Sequence, residues 1–155
     1  MAGFSRLFVD DVEGAGTAGG YYARRFDQAA LLAFAKETAQ ASRADRSVIT
    51  DILVDQQALW GDDQAAARNA RRLSDPAATV IVTGQQVGLF TGPLYTVLKA
   101  LTTVLLAREL EATSGAPVIP VFWLGSEDHD FDEMASASVP GTTFTVPHPE
   151  ASNTG

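Results

Sequence analysis

Cysteine is absent from all 155 residues, which excludes disulfides, thiolate nucleophiles and sulfur-ligated metals within this stretch. Cations are scarce. Eleven Lys and Arg against nineteen Asp and Glu leave a net charge of −8, the wrong balance for gripping a phosphate backbone, so no nucleic-acid partner is expected. The nearest approach to a basic patch, Arg68, Arg71 and Arg72, reads as the solvated face of a helix. Long apolar runs are missing too, since nothing approaches the roughly 18 residues a membrane span needs. The opening MAGFSRLFVDDVEG lacks the basic-then-apolar order of a secretory signal. No membrane partner is expected, and a cytoplasmic location is the default reading. What is present is an apolar share of 46%, enough to bury a core, in a length that suits one ordinary domain.

The first twenty residues are punctuated by glycine, with one candidate strand at Leu7–Val9. From Gly20 the pattern turns helical: Tyr22, Phe26, Ala29, Ala30, Ala33 and Phe34 recur at three- and four-residue steps. DRSVITDILVDQQALWG repeats that spacing and stops at Gly61. DDQAAARNARRLSD opens with acids and closes with arginines, the order a helix dipole favours. Three helices are therefore expected before Asp75-Pro76, with apolar faces that serve as plain core. From Thr79 the grammar changes. TVIV reads as a buried parallel strand, followed by a polar loop, a helix from Pro93 to about Thr113, and a stop at Gly115 and Pro117. VIPVFWL reads as a second strand, one that begins at Val121 if Pro120 is excluded from the ladder. Strand, helix and strand make one βαβ unit. The tail alternates around Pro140-Gly141 and reads as a hairpin. One βαβ unit is not a finished sheet, which points to a C-terminal continuation.

In such a unit both strands point the same way, so TGQQVGLFTG and GSEDHDF emerge at one edge of the sheet, where ligands of open α/β sheets bind. The first loop suits an anion. Gly84, Gly88 and Gly92 allow positive φ or close backbone approach, and Pro93 at the first helical position leaves the amides of Leu94 and Tyr95 pointing outward at the positive end of the dipole. No acid appears in the helix before Glu109. Lys99, about 9 Å further along the axis, reaches back toward a bound phosphate or carboxylate, or else covers apolar atoms at the surface. TGQQ matches neither the Walker phosphate loop nor the dinucleotide fingerprint. The second loop sets five carboxylates and His129 within EDHDFDE, between Trp123 and Phe131. Clustered carboxylates repel one another and suit proton transfer, substrate binding or a hard cation such as Mg²⁺ or Mn²⁺, and the plain alternative is an acidic surface loop.

These residues carry a resemblance. VTGQQVGLFTGPLYTVLKA followed by APVIPVFWLGSEDHDFDE closely resembles the BshC family, cysteine-adding ligases of bacillithiol biosynthesis. The family pattern T-G-Q-Q-x-G-L-x-T-G-P-L-Y-T-x-x-K fits from Thr83 to Lys99. V-P-V-F-W fits at Ile119–Trp123, with Ile119 for valine, and E-D-H-D-F-[DE]-E fits from Glu127 to Glu133. The first 78 residues fit only loosely.

The resemblance implies a cytoplasmic enzyme that joins the cysteine carboxylate to the amine of glucosaminyl malate. It implies a Rossmann-like core of the nucleotidyl-transferase type, and a dimerising coiled coil in chains several times longer. On that basis residues 1–78 form a mainly helical segment, 79–133 the first βαβ unit of the catalytic core, and 134–155 the start of a connecting insertion. Candidate catalytic residues are Glu127, Asp128, His129 and Asp130. Candidate substrate- or anion-binding residues are Thr83, Gly84, Gln85, Gln86, Thr91, Gly92, Tyr95, Lys99 and Trp123. No metal ligand is assigned. Activating a free carboxylate calls for phosphate or adenylate, so ATP or another nucleotide, with Mg²⁺, is the candidate cofactor. Two other readings stay open: a Rossmann-like nucleotidyl transferase, which would carry a HIGH-type signature where TGQQ stands, and a non-catalytic anion- or nucleotide-binding module. As an N-terminal piece the chain is expected to be marginally stable, self-associating and inactive alone.

Overall fold

The structure is a computed structural model that describes residues 5–14, 18–24, 26–41, 45–61, 63–127 and 131–147. The chain divides into two compact units, residues 1–42 and 43–155. No helix among the described residues is long and apolar enough to cross a membrane.

In the first unit, Leu7–Val9 is not a strand. Helix α1 spans Arg6–Glu13, because Ser5 accepts a hydrogen bond from the Phe8 amide at 3.2 Å and Gly14 closes the helix in the left-handed conformation at φ 63°. Helix α2, Gln28–Ala41, starts eight residues later than the apolar spacing suggests. The Asp27 carboxylate accepts from the Ala30 amide at 2.8 Å and so sets the boundary. Neither helix buries a residue among those described. Phe26 is 84% exposed, so the expectation of plain core fails here. The polar side of α2 is tied locally, where Arg24 forks onto Glu37 at 2.6 and 3.2 Å and lies 5.0 Å from the Phe34 ring centre.

The second unit begins with two helices opened by aspartate caps. Asp45 accepts from the Ser47 and Val48 amides ahead of α3, Arg46–Trp60, and Asp63 accepts from Ala65 and Ala66 ahead of α4, Gln64–Arg72. Arg46 fastens the turn that follows, its Nη1 lying 3.0 Å from the Ala78 carbonyl and 3.2 Å from that of Asp75. Strand β1 runs Thr79–Gln86, helix α5 Leu94–Ser114 and strand β2 Val118–Gly125. The strands pair in parallel with Thr79 opposite Val118 and Gln86 opposite Gly125, giving one β–α–β unit. Gly115 ends α5 at φ 69°.

Pro120 lies inside β2, contrary to a start at Val121. The Thr79 amide donates to the Pro117 carbonyl at 3.0 Å. Backbone groups alternate along a parallel strand, so the odd residues of β2 face β1 and Pro120 turns its nitrogen to the outer side, where no ladder donor is lost. Ile119 and Val121 pack with Leu53, Leu73 and Ala78 on one face of the sheet, while Ala107, Leu110 and Val118 are buried at 1–4% exposure. Cover of the first face is partial. Val80 and Val82, on the strand read as buried, are about half exposed. Glu111 of α5 binds the unit together: its carboxylate accepts from the Val118 amide at 3.0 Å and pairs with Arg72. After the second strand, α6 covers Phe131–Met134, and the tail forms the expected hairpin, β3 Ser136–Val139 against β4 Thr142–Thr145, around Pro140-Gly141 with Gly141 at φ 85°.

Candidate functional site

The parallel register places the carboxyl ends of β1 and β2 side by side, so the turn after Gln86 and the segment after Gly125 leave the sheet at the same edge. One boundary differs from expectation. Thr83, Gly84, Gln85 and Gln86 belong to β1, not to the loop, which begins at Val87. As strand residues they are held by pairing with Phe122 to Gly125. Gly84 sits opposite Trp123 so closely that an added Cβ would lie 2.8 Å from the Trp123 carbonyl oxygen.

The turn itself is tight and strained. Phe90, Thr91 and Gly92 have successive positive φ values of 53°, 75° and 76°, unusual for the aromatic and more so for the β-branched residue. Gly88 and Gly92 approach until a Cβ on Gly88 would lie 2.8 Å from the Gly92 Cα. Phe90 stacks edge-on against Phe144 of β4, with ring centres 5.6 Å apart. Pro93 is extended and caps α5 from outside, so it is the N-cap and not the first helical residue, and among the described residues no side chain caps that end. A helix start without a capping acceptor keeps donors and the positive end of the dipole for another group.

A cavity of about 440 Å³ opens beside this turn, within the range of small-molecule sites. Gln85, Gln86, Val87, Gly88 and Thr91 line it from β1 and the turn, Thr96, Val97 and Ala100 from α5, and Phe122 and Leu124 from β2. Its wall is thus apolar with a few amide and hydroxyl groups. The structure brings Gln85, Gln86 and Thr91 together there, with Gly92 beside Thr96. Lys99 is half-buried and engaged: its ammonium donates to the Gly84 carbonyl at 2.7 Å and the Gln85 Oε1 at 3.0 Å, and lies 5.2 Å from the Tyr95 ring centre. Thr83 lies on β1 and Glu127 in the exposed turn after β2, neither lining the cavity. Trp123 alternates to the opposite face from Phe122 and Leu124 and is 65% exposed. Asp128, His129 and Asp130 lie outside the described residues, among which no three His, Asp or Glu side chains converge as a metal site. Sequence reasoning missed Thr96, Phe122 and Leu124. Thr96 is 8% exposed, and its Oγ1 has no hydrogen-bond partner among the described residues. A hydroxyl in the first turn of a helix after a glycine loop was the available signal.

A parallel β–α–β unit with a ligand-sized cavity at its strand ends defines a Rossmann-like α/β domain. Residues 3–154 match the family described as bacillithiol biosynthesis BshC, N-terminal Rossmann-like domain, and the chain belongs to that family. The chain is 50% identical over 114 residues to BshC of Salinibacter ruber, covering 73% of this chain and 21% of the relative. It is 46% identical over 138 residues to BshC of Heliobacterium modesticaldum, covering 77% and 25%. BshC of Chlorobaculum tepidum is 47% identical over 92 residues, covering 59% and 16%. These relatives are named for cysteine ligation, provisionally. The chain spans between about a sixth and a quarter of their length.

Proposed function

We propose that this chain forms part of the substrate site of a ligase that joins cysteine to glucosaminyl malate by an amide bond in bacillithiol biosynthesis. The observation that carries the reading is the cavity of about 440 Å³ at the uncapped start of α5, walled by Gln85, Gln86 and Thr91 in a chain of the BshC family. The donors at that start, the dipole behind them and the nearby Lys99 charge favour a carboxylate, the group of cysteine that must react. Thr83, Gly84, Gly92, Tyr95 and Trp123 shape the same strand ends. The attacking amine must lose a proton, and His129, with Glu127, Asp128 and Asp130 in the same segment, is the acceptor in this reading. Residues 79–133 act as the first unit of the catalytic core, 1–78 as a helical preface and 134–155 as the start of an insertion. The enzyme works in the cytoplasm on small molecules as a homodimer.

The test is amide formation from L-cysteine and glucosaminyl malate by the protein that carries this chain, with and without ATP and Mg²⁺, alongside its sedimentation. Product that depends on both substrates supports the reading, and dependence on ATP assigns the activating reagent. Calorimetric binding of ATP with no product under any condition supports a nucleotide-binding module and refutes ligation.

A further inference from the structure

The Lys99 side chain is held by the protein itself. Its ammonium already has the Gly84 carbonyl at 2.7 Å, the Gln85 side chain at 3.0 Å and the Tyr95 ring at 5.2 Å. An ammonium only donates, so the Gln85 atom that meets it is the amide oxygen, and the NH₂ lies on the other side of that amide. Gln85 lines the cavity. The first of these bonds has a topological cause. With Thr79 bonded to Pro117, the odd residues of β1 face β2, so the Gly84 carbonyl points to the outer edge. No described strand pairs there, and Lys99 satisfies that carbonyl from α5.

We propose that Lys99 is a positioning residue: it ties the end of β1 to α5 and holds the Gln85 amide with its NH₂ turned toward the cavity, so that this wall receives an acceptor oxygen of a carboxylate or carbonyl. The buried Thr96 hydroxyl, without a partner among the described residues, is a second group on the same wall that a ligand oxygen can satisfy. The class of ligand rests on the cavity being the substrate site proposed above, whereas the hold on Gln85 does not.

The experiment is the side-chain amide ¹H–¹⁵N spectrum of the protein that carries this chain, with the Gln85 pair identified by its loss in Gln85→Leu. In Lys99→Met the Gln85 pair should move to the position of solvent-exposed glutamines, and Lys99→Arg should keep it dispersed. A Gln85 pair unmoved in Lys99→Met overturns the proposal. Should Lys99→Met fail to give a folded backbone spectrum, Gln85→Leu decides: hydrogen exchange of the Lys99 ammonium should quicken at least several-fold, and an unchanged rate overturns the proposal. Titration with L-cysteine should shift the Gln85 pair in the parent, and cysteamine, which lacks the carboxylate, should not. Equal shifts, or none with either, overturn the acceptor assignment while the Lys99→Met result stands by itself.

Discussion

Gly84→Ala tests whether the strand end is packed as described. Gly84 has an ordinary φ, so the cost of a methyl group is purely steric. The new Cβ would lie 2.8 Å from the Trp123 carbonyl oxygen and 3.1 Å from its Cβ, against ordinary contacts that begin near 3.4 Å. Both atoms belong to or stem directly from the neighbouring strand, so no side-chain rotation relieves the overlap and β1 and β2 must part. Overpacking of this kind costs about 1–3 kcal/mol. Replacing glycine recovers about 0.4–1 kcal/mol by restricting the unfolded chain. Taking the middle of each range, the net loss is about 1.3 kcal/mol, which for a chain of this length lowers Tm by about 3–5 °C. The assay is thermal unfolding followed by circular dichroism, with Gly19→Ala as control, because nothing lies within 4 Å of a Cβ there and its φ is ordinary. Gly84→Ala melting at or above Gly19→Ala would refute the packing argument.

Arg46→Met keeps the side-chain stem and removes the donor shared by the carbonyls of Leu73, Asp75 and Ala78. It should cost about 1.5–3 kcal/mol, read from the urea midpoint. Glu111 has its pKa lowered from 4.5 by the Val118 amide and by Arg72. A lowered folded pKa means its stabilisation is present above 4.5 and lost as pH falls through the folded value. Stability should therefore drop below pH 4.5, and Glu111→Gln should remove that part of the drop, an effect below about 1 kcal/mol because the pair is partly solvated. With His129 as the proton acceptor of the proposed reaction, His129→Ala should lower kcat by about 100-fold or more. Tm should stay within about 2 °C of the parent, and a parallel loss of both would mark a structural role.

What the sequence determined by itself is what short-range chemistry controls. Asp45 and Asp63 cap the amides directly after them, Gly115 takes the left-handed conformation that ends α5, and Pro140-Gly141 turns the hairpin. Each depends on a few neighbouring residues. The parallel unit was legible for the same reason: two short apolar strands separated by one long helix leave little other topology. The density of the TGQQ and EDHDF matches carried the family, which the match over residues 3–154 bears out. Local signals also misled. The apolar cluster at Leu7–Val9 looks like a strand until the Ser5 and Gly14 caps form α1. Tertiary structure decided the rest, because pairing is set by residues about forty positions away. Alignment with Phe122 to Gly125 drew Thr83 to Gln86 out of the loop and into β1. Strand alternation then sent Trp123 to the face opposite the cavity and the Gly84 carbonyl to the outer edge. Lys99 found its partners, and the Thr96 hydroxyl was left without one among the described residues, only once α5 lay across both strands.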